Sequence, residues 1–131
     1  MRQVRHVVYH SGALISIDSR RGDLSLRRHQ RRITRREHVI VPAPVVAQVV
    51  REPGRQARLM LALQSCDVIA FEHSHAAPVG RLLALSGTTD VVDGFVAIKA
   101  AEIGAAVVTS DPDDITHLLS TLGADLPVLK P

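Results

Sequence analysis

The sequence predicts an α/β fold, a three-layer sandwich with a mostly parallel central sheet of about five strands. Short apolar runs rich in β-branched residues alternate with longer segments of helical spacing along the whole chain. The apolar runs lack polar alternation, which is typical of strands covered by helices on both faces. At 131 residues the chain is long enough to bury one core, so we expect a single domain spanning residues 1–131.

The first half of the chain contains two predicted strands and four predicted helices. Ser11 is well placed to cap the first helix, and Pro44 suits the first turn of the third. The segment from Arg20 to Arg36 carries eight arginines and few large apolar side chains, so its helix can bury only a narrow stripe. In order, the predicted elements are a strand at 4–9, helices from 11 and at 20–36, a strand at 38–43, and helices at 44–52 and 55–65.

The second half continues the alternation. The clearest helix is DVVDGFVAIKAAEIG, which has apolar residues at helical spacing and ends at Gly104. The last strand is expected at an edge of the sheet because Pro127 has no N–H to donate. The predicted elements are a strand at 66–72, a helical stretch ending near 87, a helix at 90–104, a strand at 105–110, a helix at 111–123 and a strand at 125–130.

Composition indicates the cellular compartment and argues against membrane and secreted proteins. The single cysteine, Cys66, cannot form an internal disulfide, which favours a reduced, cytoplasmic setting. No apolar stretch approaches the roughly 18 residues that a membrane helix needs, and no secretory signal opens the chain. We therefore expect a soluble cytoplasmic protein with no membrane partner.

Charge is distributed unevenly along the chain. Residues 1–58 carry 13 arginines and four acidic residues, a net charge of +9, whereas the remainder carries three basic and nine acidic residues, a net charge of −6. A polyanion that also meets a divalent metal, such as RNA, would suit this surface. Arg27, Arg28, Arg31 and Arg32 are candidates for binding RNA phosphates or a protein partner, and a solvated helix face is an equally good interpretation.

Polar residues follow two predicted strands at the point where each strand ends. The run AAVV stops at Thr109, Ser110 and Asp111, and the run RHVVY stops at His10. Because the carboxyl ends of parallel strands form the usual ligand edge of an open sheet, we expect these residues to meet. Asp93 adds a second carboxylate from the helix that precedes the second of these strands. The combination of two carboxylates and a histidine indicates a cation site.

Each of these residues also has an ordinary structural interpretation. Asp111 precedes Pro112 at a helix start, where an acid caps the helix and favours its dipole. Asp93 lies in a first turn that Thr89 or Asp90 can cap, which is also a favourable place for an acid. His10 alone is as well explained as a hydrogen-bonded residue at a strand end. From the residues alone, both interpretations stay open.

The run TTDVVDGFVAIKAAEIGAAVVTSDPDDITHLL resembles the carboxyl-terminal half of PIN domains, particularly VapC-type toxins of bacterial toxin–antitoxin pairs. VVYHSGAL is similar to the first strand and helix of that family, and VPAPVVAQVVREPGRQARL to the segment that carries its helix-borne glutamate. The resemblance implies a compact α/β domain whose clustered carboxylates bind Mg²⁺ or Mn²⁺ and cut RNA. It also implies a cognate antitoxin that blocks the site, and a homodimer is expected.

Carried over by position, Asp93 and Asp111 match metal-binding acids of the family, with Asp90 a catalytic accessory and Asp114 a further metal ligand. Two positions depart from the family pattern. His10 stands where the first strand normally delivers an aspartate.

Gln48 stands where the second acid is normally a glutamate, and Glu52, one helical turn further on, could replace part of the missing charge. With both acids absent, Mg²⁺ affinity should fall, because an amide contributes no charge and imidazole suits Mn²⁺ or Zn²⁺ better than Mg²⁺.

Two functions follow from the resemblance and its departures. The first is a metal-dependent endoribonuclease toxin, weakened by the substitutions. The second is a catalytically degenerate domain that binds an antitoxin, a like subunit or RNA without cutting. A phosphoacceptor receiver domain is a third class, but it expects paired acids after the first strand and a lysine after a late strand, and the sequence has neither.

Overall fold

A computed structural model describes residues 4–19, 21 and 23–131 of the chain. Its central sheet is parallel throughout, and its strand order is β3-β2-β1-β4-β5. The predicted edge position of the last strand is confirmed. The strands are β1 at His6–Tyr9, β2 at His38–Pro42, β3 at Asp67–Ile69, β4 at Ala106–Val108 and β5 at Val128–Leu129.

The helices form two packed groups, α1 to α4 and α5 to α7, that flank the sheet. In the second group, α6 packs on β1 and β4 at the centre of the sheet. This arrangement confirms the predicted three-layer α/β sandwich. No helix within the described ranges is both long and apolar enough to cross a membrane. The helices are α1 at Ser11–Asp18, α2 at Asp23–Thr34, α3 at Ala43–Val49, α4 at Ala57–Leu63, α5 at His73–Ser86, α6 at Val91–Ile103 and α7 at Pro112–Thr121.

The core lies around the two central strands. Every residue of β4 is buried, as are the last three of β1, because helices cover both faces of the sheet at this point. The parallel register pairs Tyr9 with Val108, and the N–H of His10 donates to the carbonyl of Val108 at 3.0 Å. The residues that follow β1 and β4 therefore emerge side by side at one edge.

Several predicted boundaries shift in the structure. Ser11 does not cap α1: it is the first helical residue, and His10 occupies the capping position without a side-chain cap bond. Pro44 lies in the first turn of α3 as predicted, but that helix ends at Val49 instead of continuing to Glu52. The side-chain amide of Gln56 donates to the carbonyl of Val49 at 3.0 Å, which satisfies the helix end.

The arginine-rich helix α2 is anchored by polar side chains. Arg32 donates to the hydroxyl of Tyr9 at 3.1 Å, and that hydroxyl lies 2.7 Å from Nδ1 of His29. The other ring nitrogen of His29 lies 2.7 Å from the hydroxyl of Ser65, which donates to the carbonyl of Ala62. If each group donates to the next, from Arg32 to the carbonyl of Ala62, every side chain in this series of hydrogen bonds has its partners. The narrow buried stripe predicted for this segment therefore includes a buried histidine.

Burial shifts the pKa of both ring-bearing members of this network. Burial raises the pKa of Tyr9 to about 12, although the nearby Arg32 guanidinium opposes the shift. Burial also lowers the pKa of His29, and the positive charge of Arg32 lowers it further. Both side chains are therefore held neutral near neutral pH, as the hydrogen-bond chain requires.

Tyr9→Phe is expected to lower the free energy of unfolding by about 1–3 kcal/mol, because it removes the hydrogen-bond partner of Nδ1 of buried His29 and of one guanidinium nitrogen of Arg32. Urea unfolding measures the loss. Tyr9→Phe combined with His29→Leu should cost less than the sum of the two single changes, because each removes the other's partner. Strict additivity would contradict the network.

Stability is also expected to fall in acid because of His29. Its pKa is lowered on folding from the ordinary value of 6.5, so the unfolded chain binds a proton more readily than the folded chain. The stabilising contribution is therefore present above about pH 6.5 and is lost as the pH falls below it. Urea unfolding between about pH 7.5 and about pH 5 measures the slope. His29→Gln should be less stable at the upper pH and lose less on acidification, whereas an unchanged slope would exclude His29 as the cause.

Candidate functional site

The candidate site lies where β1 and β4 end. His10 follows β1 and Thr109 follows β4, and the adjacent strand ends place Nδ1 of His10 2.8 Å from the hydroxyl oxygen of Thr109. Both residues are buried, at 3% and 0% exposure. The same hydroxyl oxygen accepts the N–H of Asp111 at 2.9 Å, which fixes the loop after β4. The predicted meeting of the two strand ends is therefore present in the structure.

Asp93 reaches this edge from the first turn of α6. Its Oδ1 lies 2.7 Å from Nε2 of His10, and its side chain is 17% exposed. A carboxylate can only accept, so Nε2 of His10 carries the hydrogen that is donated to Asp93. In the neutral imidazole, Nδ1 then accepts the hydroxyl hydrogen of Thr109. The imidazole thus occupies one carboxylate oxygen of the principal candidate acid.

Asp90 and Asp111 both lie at helix starts, but only one of them caps its helix. Asp90 caps α6, since its Oδ1 accepts the N–H of Asp93 at 2.9 Å. Asp111 occupies the capping position of α7, but its carboxylate makes no cap hydrogen bond. Capping therefore does not account for the exposed Asp111 carboxylate, which remains able to contact a ligand.

Gly12 allows the start of α1 to approach the loop after β4. A Cβ atom at this position would lie 2.0 Å from Oγ of Ser110 and 2.8 Å from its backbone nitrogen. The backbone contact cannot be relieved by a side-chain rotation, so glycine is required by the approach itself. Sequence reasoning identified His10 and Ser110 but not Gly12, because this contact depends on how two distant segments pack.

Comparisons with solved structures support the fold assignment. One match is VapBC2 from Rickettsia felis, determined bound to a DNA fragment from its promoter, with a TM-score of 0.71 and 14% identity over 96% of this chain and 98% of that chain. PAE2754 from Pyrobaculum aerophilum has a TM-score of 0.63 and 18% identity, over 95% of this chain and 83% of that chain. The structure of FitAB bound to an IR36 DNA fragment has a TM-score of 0.64 and 15% identity, over 95% of this chain and 94% of that chain. The chain has a PIN-like fold.

At the level of sequence, no protein-family model and no curated protein matches this PIN-like domain. The TM-scores of 0.63 to 0.71 establish a shared fold, and at identities of 14% to 18% they establish the fold alone. The evidence that His10 follows the first strand and contacts Asp93 therefore comes from the structure of this chain.

The other candidate site residues do not join the hydrogen bonds among His10, Asp93 and Thr109. Asp114 is exposed in the first turn of α7, and Gln48 is exposed on α3. Glu52 lies beyond the end of α3 and pairs with Arg55 at 3.2 Å, so it cannot continue the helix face of Gln48. The expectation that Glu52 lies one helical turn beyond Gln48 is wrong, because α3 ends at Val49.

The described residues offer only part of a metal site. They contain no group of three or more His, Cys, Asp or Glu side chains arranged to hold an ion. Asp93 has a second oxygen outside its bond to His10, and the Asp111 carboxylate is exposed. Mg²⁺ often keeps several waters and binds one or two carboxylates, so free oxygens of Asp93 and Asp111 are the chemically suitable donors at this edge.

Nucleophilic catalysis by cysteine has no support in the structure. Burial raises the pKa of Cys66 to about 12, and its thiol donates to the carbonyl of Ala62 at 3.3 Å. A thiol in that state supplies almost no thiolate at neutral pH. The chemistry of the PIN-like domain is therefore best sought at the strand-end edge.

Proposed function

We propose that the protein is a metal-dependent endoribonuclease toxin of a toxin–antitoxin pair, with activity weakened by His10. The observation that supports it most is the connected path from Asp93 through His10 and Thr109 to the backbone of Asp111. This path ties both candidate metal-binding acids to the carboxyl ends of two central strands, the usual ligand edge of an open parallel sheet. RNA is the proposed substrate, and Mg²⁺ or Mn²⁺ the proposed cofactor.

The residues of the site have separate roles in this proposal. Asp93 and Asp111 supply the negative charge that holds the cation, and Asp90 keeps the first turn of α6 in place through its cap. Thr109 fixes the loop that carries Asp111. When bound, the divalent cation supplies Lewis-acid stabilisation of the phosphoryl oxygens. His10 opposes cation binding because its N–H already occupies one oxygen of Asp93.

The proposed partners are a cognate antitoxin and a second copy of the chain, and the proposed place of action is the cytoplasm. The shared fold with VapBC2 and FitAB supports this assignment, together with the family resemblance of the sequence. DNA was present in both of those structures, so a complex of this chain with its antitoxin is also a candidate for binding DNA.

A second candidate function is partner binding without RNA cleavage. It is favoured by the same hydrogen bond between His10 and Asp93, because a neutral or charged imidazole N–H provides in part what a cation would provide to this carboxylate. Such a domain would fold without metal and keep its antitoxin-binding surface.

Cleavage of a structured RNA by the purified protein distinguishes the two functions. The assay compares Mg²⁺, Mn²⁺ and chelator, with the unaltered chain beside Asp93→Asn. We expect slow, metal-dependent cleavage with either Mg²⁺ or Mn²⁺, because both ions prefer oxygen ligands such as the carboxylates of Asp93 and Asp111. Asp93→Asn should abolish it, since the amide can still accept from His10 but carries no charge.

Asp113→Asn is the matched control, because Asp113 is an exposed acid of the first turn of α7. It should leave cleavage unchanged. Cleavage that survives both chelator and Asp93→Asn would come from a contaminating nuclease and would remove the support for this site. Complete inactivity with every metal, in a folded protein, would instead favour partner binding.

A further inference from the structure

A small cavity of about 200 Å³ beside α2 is lined mainly by arginines. Its lining residues include none of His10, Asp93, Thr109 and Asp111, and Arg5 and Glu37 precede β1 and β2. One acidic side chain, Glu37, also lines the cavity, and Val7 and Leu129 give it an apolar wall. The arginines are Arg5, Arg28, Arg31, Arg32 and Arg35.

Helical spacing explains why four of these arginines share one side. Positions 28, 31, 32 and 35 differ by three and four residues, so they form one stripe along α2 and the turn that follows it. The N–H of Arg35 donates to the carbonyl of Arg31 at 3.0 Å, which continues the helical path to the last of them. Arg27, the remaining candidate from the sequence, does not line the cavity.

Positive charge in the cavity is not balanced by the protein. Five arginines and one glutamate give a net charge of +4. The glutamate is already used, since Oε1 of Glu37 lies 3.6 Å from Nε of Arg5. Among the described residues, Arg31 and Arg35 have no carboxylate partner. Like charges held around one cavity repel, and an anion bound between them would relieve that repulsion.

Two of the arginines are oriented by contacts within the fold. Arg32 donates to the hydroxyl of Tyr9, and its guanidinium carbon lies 5.5 Å from the centre of the Tyr9 ring. Arg28 donates to the main-chain oxygen of Pro131, the last residue of the given sequence. These contacts hold part of the arginine stripe in place before any ligand arrives, which lowers the entropy lost on binding.

The size and chemistry of the cavity select the ligand. A volume of about 200 Å³ is below the roughly 300–1,000 Å³ of pockets for larger organic ligands. Guanidinium groups pair with phosphate oxygens through two parallel hydrogen bonds. We propose that this cavity is a binding site for one or two phosphate groups. Its ligand is either a small free phosphate compound or the phosphate backbone of RNA, and its binding does not depend on a metal at Asp93 and Asp111.

Inorganic pyrophosphate and a short RNA without terminal phosphates are the two probes. Calorimetry measures pyrophosphate binding and fluorescence anisotropy measures RNA binding, both with chelator present so that no cleavage or metal binding contributes. The variant is Arg31→Gln plus Arg35→Gln, which removes two arginines without carboxylate partners. Arg21→Gln plus Arg81→Gln is the matched control, because both are exposed arginines outside the cavity that remove the same charge.

Pyrophosphate binding that weakens at least about tenfold in the cavity variant but less than about twofold in the control would support a site for free phosphate compounds, because a tenfold change exceeds a screened, nonspecific charge effect. The same pattern for RNA alone would support a backbone phosphate site. Equal weakening by both variants, or no binding of either probe to the unaltered chain, would overturn the proposal. Both probes are measured with chelator and without cleavage, so failure of the nuclease proposal leaves this result interpretable.

Discussion

Replacing His10 with aspartate is expected to raise Mg²⁺-dependent RNA cleavage by at least about tenfold, the lower end of the effect of altering the surroundings of a metal site. The imidazole donates to Oδ1 of Asp93, so a cation must displace or share that contact. Aspartate at this position removes the competing donor and adds a carboxylate at the end of β1. Cleavage with Mg²⁺ and with Mn²⁺ should both gain, because both ions prefer oxygen ligands.

Three variants separate the causes of such a gain. His10→Asn removes the imidazole without adding charge, and it should show little increase. Gln48→Glu adds a carboxylate on the exposed surface of α3, and alone it should also have little effect. The double change His10→Asp plus Gln48→Glu tests whether the second departure matters once the first is reversed. If His10→Asn gains as much as His10→Asp, the missing carboxylate is not what limits activity.

Elements with strong local signals were predicted well from the sequence. Gly104 ends α6 in the left-handed conformation that glycine favours, and Asp90 caps its start as one of the sequence interpretations expects. Pro127 precedes a two-residue edge strand, and its carbonyl accepts the N–H of Val107 at 2.9 Å although its nitrogen cannot donate. In each case one residue type carries a backbone preference that holds in almost any tertiary setting.

Elements that depend on distant contacts were not predicted. The end of α3 at Val49 is set by Gln56, whose amide also accepts the N–H of Arg51 at 2.8 Å, and no periodicity in the helix itself records this. The Tyr9 and His29 pair likewise joins residues 20 positions apart. A hydrophobic pattern describes apolar faces, so it does not indicate a helix held in part by buried polar side chains.

The candidate site shows the same division. Parallel strands and the positions of His10 and Thr109 at strand ends were sufficient to predict that they meet. The direct bond from His10 to Asp93 was not predicted, because it depends on how α6 is placed against β1. That bond changes the interpretation: the histidine is a partner of the carboxylate within the protein, where the sequence had suggested an additional cation ligand.

His10→Asp is also expected to make the stability of the domain depend on a divalent cation. His10 and Asp93 are largely removed from solvent, with side-chain exposures of 4% and 17%. Without metal, the variant places two carboxylates at the same edge and removes the donor to Asp93. We expect a loss of about 3–5 kcal/mol in the free energy of unfolding, the range for removing one partner of a buried pair.

Saturating Mg²⁺ should recover much of that loss, because an ion bound only to the folded state stabilises it by about 2.7 kcal/mol at about 100 times its dissociation constant. Urea unfolding with Mg²⁺ and with chelator measures both effects. His10→Asn is the control: it should be destabilised without metal and should gain little from Mg²⁺, since it adds no charge. A variant that is as stable as the unaltered chain in chelator, or that responds to Mg²⁺ no more than His10→Asn does, would show that the carboxyl groups at positions 10 and 93 do not share a cation. In that case the imidazole at position 10 would serve only to pack and hydrogen-bond within the fold, and this edge of the sheet would not be a metal site.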